Sequence, residues 1–190
     1  ITPSHEDYRR LIERYAASSV DKRVSNGLSA HAAILIETMF KTASSEMRIF
    51  SRDLNEEVFC SNEMIQAIVT FVAKPYSTLK ILLEKKPDDG WSNSHSLLQS
   101  LRKLDVHGTV EVMPAVGNYA AGKAEHFAVM DDDGYRFEFD HDNCQAVANF
   151  NESMVAKKLI SAFDQAFELS KEEGETSSFS FFSKPSSLST

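Results

Sequence analysis

A histidine followed by a run of carboxylates is the part of this sequence best suited to chemistry. His126 begins an alternating apolar stretch, Asp133 follows seven residues later, and Gly134 comes next. Asn149 lies further along the chain, just before a long segment of helical periodicity. An imidazole can act as a nucleophile or as a general acid or base near neutral pH. His126, Asp133 and Asn149 are therefore the candidate catalytic residues.

The spacing of these residues resembles a known motif. The phospholipase D superfamily carries His-x-Lys-x-x-x-x-Asp, usually followed by Gly, and His126, Asp133 and Gly134 stand at the required positions. Ala128 stands where that motif has Lys. The motif of this chain is thus similar to that of the superfamily, but it lacks the positively charged residue.

A second motif of the superfamily, Gly-Ser-x-Asn, is also altered. Its Asn is kept as Asn149, but Ala146 and Val147 stand where Gly and Ser are expected. The resemblance covers about residues 28–170. It implies an α/β fold with a mixed, mostly parallel sheet flanked by helices, that is, one half-length phospholipase D-like domain.

The resemblance also implies a mechanism and shows what the missing lysine does to it. In the superfamily a His attacks phosphorus, a second His from the other half or the partner subunit protonates the leaving group, and Lys stabilises the developing charge. Removing one such preorganised donor typically costs roughly 3–4 kcal/mol of transition-state stabilisation. Arg136, on the opposite strand of the predicted hairpin, is the candidate replacement and a candidate binding residue.

Each candidate residue also has a structural interpretation. His126 could be a histidine hydrogen-bonded across the hairpin to Asp140 or Glu138, and Asp140 is for this reason the second candidate binding residue. Asp133 precedes Gly134, and Asp-Gly is a strong hairpin-turn signal. Asn149 could hold a loop in place.

The many acidic residues around His126 disfavour a phosphate, and they could also suggest a metal site. Asp131, Asp132, Asp140, His141 and Asp142 show no regular ligand spacing, so solvated turn charges explain them and no metal is predicted. No glycine-rich phosphate loop, Gly-x-Ser-x-Gly or Cys-x-x-Cys motif is present, and no cofactor is predicted.

Apolar periodicity divides the chain into alternating helices and strands, followed by a hairpin. The predicted helices are residues 6–17, 29–42, 61–72, 94–104 and 152–170. The predicted strands are residues 47–51, 79–83, 109–113, 126–130, 135–139 and 145–149. These elements predict an N-terminal helical extension over 1–27, the domain over 28–170, and a disordered Ser-rich tail over 171–190.

Bulk composition narrows the function further. The net charge of −8 disfavours nucleic acid as a partner, because affinity for phosphates comes from Lys and Arg. Cys60 and Cys144 are far apart in sequence and are interpreted as reduced thiols, which predicts a cytoplasmic protein. No apolar run approaches the length of a membrane span, so no membrane contact is predicted.

Three functional hypotheses follow. The first is a non-catalytic phospholipase D-like domain that acts as a binding, regulatory or assembly module, as a homodimer or with a protein partner. Its context would be a bacterial defence or mobile-element system. The second is a homodimeric phosphodiesterase or nuclease that uses His126. The third is a sensor that binds a small molecule or nucleotide in the former phosphate pocket.

Overall fold

A computed structural model describes residues 4–104, 107–122, 125–176 and 182–184 of the 190-residue chain. The helices are α1 (His5–Ala17), α2 (Ser29–Thr42), α3 (Glu56–Phe59), α4 (Asn62–Val72), α5 (Trp91–Ser94), α6 (Ser96–Lys103) and α7 (Ser153–Thr176). The strands are β1 (Val24–Asn26), β2 (Glu46–Ser51), β3 (Thr78–Leu83), β4 (Thr109–Pro114), β5 (His126–Met130), β6 (Gly134–Asp140), β7 (Gln145–Asn149) and β8 (Phe182–Lys184).

The strands of the described residues form one open sheet in the order β1-β7-β6-β5-β2-β3-β4-β8. This confirms the predicted α/β class and mixed sheet. The prediction that the sheet is mostly parallel is wrong: only β2, β3 and β4 run parallel, and every other neighbouring pair is antiparallel. Parallel strands need a crossover helix. Helices supply that crossover between β2, β3 and β4, whereas β5, β6 and β7 are joined by short turns.

The sheet lies between two helical layers, each with its own apolar core. One face packs against α1, α2, α3, α4 and α6, and the other packs against α7. Alternate residues of a strand point to opposite faces. Ala128 and Met130 of β5 accordingly face the α2 side, and Phe127 and Val129 face α7.

The first 27 residues form more than the predicted helical extension. α1 begins after Ser4, whose hydroxyl accepts a hydrogen bond from the Asp7 N–H, and it packs against α2. β1 then pairs antiparallel with β7 and becomes one edge of the sheet. The extension is therefore integrated into the domain.

The C-terminal region also differs from the predicted tail over 171–190. α7 runs on to Thr176, past the predicted end at residue 170, and β8 pairs antiparallel with β4. The backbone hydrogen bonds of a strand need only a partner edge, so a Ser-rich segment can add to a sheet. Phe179 and Phe181, which fall within the predicted tail, lie outside the described residues.

Among the described residues, no helix is both long and apolar enough to cross a membrane.

The carboxyl ends of β2, β3 and β4 meet at one edge of the sheet, and β5 begins there with His126 because it runs antiparallel to β2. Ligand sites of open α/β sheets lie at this edge.

Candidate functional site

A cavity of about 140 Å³ opens at this edge, next to His126. β5, β6 and the turn after β6 contribute the polar side chains of His126, Arg136, Glu138 and His141 to its lining. Further polar lining residues come from α2, β2, α3 and the loop between β2 and α3; these are Ser29, Ser51, Asp53, Asn55 and Glu57. Its apolar lining comes from α2, α3 and the ends of β2 and β5. These apolar lining residues are Ala32, Ile36, Ile49, Phe50, Val58, Phe59, Phe127 and Ala128.

Both ring nitrogens of the buried His126 face carboxylates. Its Nε2 lies 2.7 Å from Oε2 of Glu84, a buried residue directly after β3. Its Nδ1 lies 3.8 Å from Oε2 of Glu138, which is its direct partner across the β5–β6 pair. The sequence predicted the Glu138 neighbour, and the closest carboxylate is Glu84.

Arg136 occupies the position that the sequence assigned to a replacement cation. It is the cross-strand partner of Ala128, so its side chain lies on the same face of the sheet as His126. Its buried guanidinium donates to Oε1 of Glu138 over 2.9 Å and to Oδ1 of Asn26 over 3.3 Å. The charge of Arg136 is therefore already paired with a carboxylate of the same cavity.

His141, in the turn after β6, completes this group. Its Nδ1 lies 3.3 Å from Oε2 of Glu138, and its ring stands edge-on to that of His126, with centroids 5.1 Å apart. His126, Glu138 and His141 each offer one donor atom within 4.8 Å of the others. The cavity cluster is defined here as Glu84, His126, Arg136, Glu138 and His141.

Asp133 does not lie in this cavity. His126 is at one end of β5, and the turn that contains Asp133 follows the other end, beyond the pair Met130–Gly134. The two ends of β5 are four residue steps apart, or about 13 Å. Burial, with the neighbouring Asp132 and Asp131, raises the pKa of Asp133.

Asn149 is also remote from His126. It pairs with Tyr135 across β6–β7, and this register places it on the α7 face, opposite to the face of Arg136. Its side-chain amide donates to Asp21 over 2.8 Å and to Glu152 over 3.1 Å, and its oxygen accepts from the Asn151 N–H. These contacts agree with the structural interpretation of Asn149.

Glu152 is the centre of the group around Asn149. It pairs with Arg23 through both carboxylate oxygens and accepts a 2.6 Å hydrogen bond from the Tyr135 hydroxyl. The Arg23 hydrogen bond, with the hydroxyl and amide donors, lowers the pKa of Glu152 to about 2. Burial raises the pKa of Tyr135 to about 12. The anchor cluster is defined here as Asp21, Arg23, Tyr135, Asn149 and Glu152.

Asp140 has a local structural contact. Its carboxylate accepts hydrogen bonds from the backbone N–H and the side-chain amide of Asn143, and these bonds lower its pKa. It stabilises the turn between β6 and β7 and makes no hydrogen bond to His126. Of the predicted site residues, the structure thus brings together His126 and Arg136 and separates Asp133, Asn149 and Asp140 from them.

Two members of the cavity cluster were not predicted as site residues. Glu84 is the first polar residue after the buried strand β3, and a polar side chain at the carboxyl end of a parallel strand is a recognisable signal. His141 was considered within the acidic run but not selected, because its partner His126 comes from a different strand and gives no regular spacing.

Comparison with known proteins supports the fold. A family model described as "Domain of unknown function (DUF7931)" matches residues 28–179. A search of curated proteins found no match. Three solved structures resemble this chain at 10–13% sequence identity, which shows a shared fold and no more.

Two of these match over nearly their whole length. Nuc from Salmonella typhimurium, a phospholipase D family member, matches with a TM-score of 0.50 and 10% identity over 77% of this chain and 95% of its own. NucT from Helicobacter pylori matches with a TM-score of 0.51 and 13% identity over 77% of this chain and 96% of its own.

The third is TrmBL2, an archaeal chromatin protein whose structure shows a novel mode of DNA binding. It matches with a TM-score of 0.56 and 13% identity over 86% of this chain. This chain spans 60% of the length of TrmBL2. With a family model that matches most of its length, this chain belongs to the DUF7931 family, and its fold is phospholipase D-like.

Proposed function

We propose that this chain is a non-catalytic phospholipase D-like domain that acts through binding, with the cavity beside His126 as its ligand site. The observation that carries this proposal is the surroundings of His126, whose two ring nitrogens face Glu84 and Glu138. The Glu138 carboxylate, 3.8 Å from Nδ1, repels an anionic phosphodiester that would approach this nitrogen. The motif around His126 is on this proposal a degenerate form of the superfamily motif.

The position of Ala128 supports the same conclusion. A lysine there would project into the cavity beside His126, but alanine supplies no charge. Arg136 supplies a guanidinium from the neighbouring strand, and Glu138 neutralises it. The local charge that would stabilise a phosphoryl transition state is therefore greatly reduced.

A phosphodiesterase assay tests this proposal. The purified full chain and its His126→Ala variant are incubated in EDTA with bis(p-nitrophenyl) phosphate, single-stranded DNA and double-stranded DNA. We expect no hydrolysis above the buffer blank from either protein. Hydrolysis by the wild type that is lost in His126→Ala would overturn the proposal.

A homodimeric phosphodiesterase is the second candidate, and the position of Arg136 favours it. Its guanidinium lies across the strand from the vacant lysine position and borders the cavity, so it could contact a bound phosphate if Glu138 moved away. This candidate expects the assay to show activity that both His126→Ala and Arg136→Gln abolish. Light scattering would then have to show a dimer, because the mechanism needs a second histidine.

The binding module is also proposed to work as a homodimer or with a protein partner, as the resemblance to half-length family members implies. Light scattering of the full chain measures this directly, and a monomer at all concentrations would exclude the homodimer.

A sensor of nucleotides is the remaining form of a binding role. Thermal stabilisation of the wild type by ATP or cyclic nucleotides, absent in Arg136→Gln, would support it.

A further inference from the structure

We propose that His126, Glu138 and His141 bind one divalent transition-metal ion, with Zn²⁺ as the best-matched ion, at the mouth of the cavity. The inference rests on the proposed function only in giving this cavity a binding role. It goes further by naming the chemical class of the ligand and the atoms that hold it. Two imidazoles and one carboxylate are a ligand set that zinc uses when its fourth position stays open.

The distances between the donor atoms carry the first step of the argument. Oε2 of Glu138 lies 3.8 Å from Nδ1 of His126 and 3.3 Å from Nδ1 of His141. A tetrahedral ion with bonds of about 2.1 Å holds its donors about 3.4 Å apart. The two distances to Glu138 lie near this value, and all three donor atoms lie within 4.8 Å of one another, so metal binding requires side-chain rotations that draw the two imidazoles closer together.

The second step concerns the tautomer of His126. Its Nε2 lies 2.7 Å from Oε2 of Glu84, and an ionised carboxylate only accepts, so this contact selects the neutral tautomer in which Nε2–H donates to Glu84 and the lone pair resides on Nδ1. This nitrogen faces Glu138 and His141. A carboxylate that accepts from the far nitrogen of a metal-bound imidazole fixes its tautomer and orientation, and this arrangement is usual around zinc. Glu84 is thus the positioning residue of the site.

Arg136 is compatible with the metal because it contacts a different oxygen. Its guanidinium donates to Oε1 of Glu138, whereas the two histidines face Oε2. The guanidinium therefore holds the Glu138 side chain so that Oε2 points toward the imidazoles. The positive charge of Arg136 reduces metal affinity to some extent and does not occupy the coordinating atom.

The fourth coordination position faces the cavity. The three proposed ligands all line it, together with the apolar side chains of α2 and α3. A site with three protein ligands and an adjoining cavity admits water or an oxygen or nitrogen donor of a small molecule. The cavity would therefore select a ligand that combines a metal-binding group with an apolar body.

Zinc titration of the full chain tests the inference. The protein is stripped with EDTA, exchanged into chelator-free buffer and titrated with Zn²⁺ by calorimetry, with Co²⁺ absorption as a second probe of tetrahedral geometry. We expect one Zn²⁺ per chain. His141→Ala should weaken affinity by more than about 100-fold, because losing a ligand costs more than the roughly 10- to 100-fold effect expected for Glu84→Gln.

Controls separate this site from adventitious binding and from misfolding. His5→Ala removes an exposed histidine outside the cluster and should leave affinity unchanged. The His141 side chain is 35% exposed, so His141→Ala should keep the wild-type circular dichroism spectrum. Absence of stoichiometric Zn²⁺ binding, or binding that His141→Ala and Glu138→Gln both leave intact, would overturn the inference.

The two proposals fail in different measurements. Hydrolysis in EDTA that requires His126 contradicts the non-catalytic assignment and leaves the zinc titration to be judged by itself. Hydrolysis that appears only after Zn²⁺ is added supports the metal site and contradicts the non-catalytic assignment. A chain that neither binds Zn²⁺ nor hydrolyses phosphodiesters contradicts the metal site alone.

Discussion

The cavity cluster and the anchor cluster use opposite faces of the same antiparallel part of the sheet, and they differ in what surrounds their polar groups. In the anchor cluster, Glu152 accepts hydrogen bonds from Arg23, Tyr135 and Asn149. In the cavity cluster, His126, Arg136, Glu138 and His141 all border open space. One cluster is satisfied internally and the other faces a volume that a ligand can enter.

The difference shows that a motif can be kept in sequence while its residues serve separate purposes. His126 belongs to the cavity cluster and Asn149 to the anchor cluster, although the superfamily pattern groups them. Hydrogen-bonded networks whose polar groups are satisfied internally, such as the anchor cluster, stabilise a fold. We therefore expect mutations in the anchor cluster to change stability, and mutations in the cavity cluster to change binding.

The largest effect is expected from Glu152→Ala. This change removes the acceptor of the buried Tyr135 hydroxyl, one of two acceptors of the buried Asn149 amide, and the ion-pair partner of Arg23. Leaving such groups without a partner should lower the free energy of unfolding by about 2–3 kcal/mol. Urea unfolding followed by circular dichroism measures it.

Asp132→Ala is the matched control for that prediction. Asp132 is exposed, and its contact with Lys157 is a 3.9 Å surface ion pair, so the change should be within about 0.5 kcal/mol. A loss of less than 0.5 kcal/mol for Glu152→Ala as well would contradict the structural role of the anchor cluster.

The anchor cluster should also make stability depend on pH. Hydrogen bonds from Arg23, Tyr135 and Asn149 lower the pKa of Glu152 from 4.5 to about 2. A carboxylate with a depressed pKa stabilises the folded state above its unfolded pKa and loses this contribution as pH falls through the folded value. The stability difference between wild type and Glu152→Gln should therefore shrink between pH 4.5 and pH 2. A difference that stays constant over that range would argue against the paired carboxylate.

A smaller effect is expected from the hairpin beside the anchor cluster. The Asp131 carboxylate accepts hydrogen bonds from the backbone N–H groups of Ser44, Ser45 and Glu46, and Asp131 has a φ of +49°. Asp131→Ala should cost about 1–2 kcal/mol, because it removes these acceptors and disfavours the left-handed backbone. Asp131→Asn should cost less, since Asn tolerates this backbone and keeps one acceptor oxygen. Equal losses for both variants would contradict this explanation.

The smallest effect on stability is expected in the cavity cluster. His141→Ala should change the free energy of unfolding by less than about 0.5 kcal/mol, because the side chain is partly exposed and lies in a turn. The same variant is expected to lose zinc binding. A loss of stability as large as that of Glu152→Ala would mean that the two clusters do not differ in the way described.

Local periodicity predicted most of the elements because their apolar faces are marked within the segment itself. The predicted bounds of α2, β5 and β7 agree with the structure, since each segment carries its own pattern of buried residues. β1 and β8 were missed because each has three residues, too few for alternation to register. Their positions depend on the partners β7 and β4.

The site was harder to predict than the fold because its residues come from separate segments. Glu84 reaches His126 only because the carboxyl end of β3 lies beside the start of β5 in the folded sheet. Asn149 was assigned to the site from its motif position. The β6–β7 register pairs it with Tyr135 and so places it on the opposite face from Arg136. A register offset of one residue reverses the face, and sequence spacing alone does not specify it.

The two short outer strands have a consequence for how the chain can be handled. The family model spans residues 28–179, whereas β1 ends at Asn26 and β8 begins at Phe182. A chain trimmed to the family limits would lose both strands and expose the backbone hydrogen-bonding groups of β7 and β4. Unpaired edge strands of a sheet can pair with strands of other molecules. Such a fragment would also lose α1, and it should self-associate into soluble aggregates even though it keeps every residue that lines the cavity.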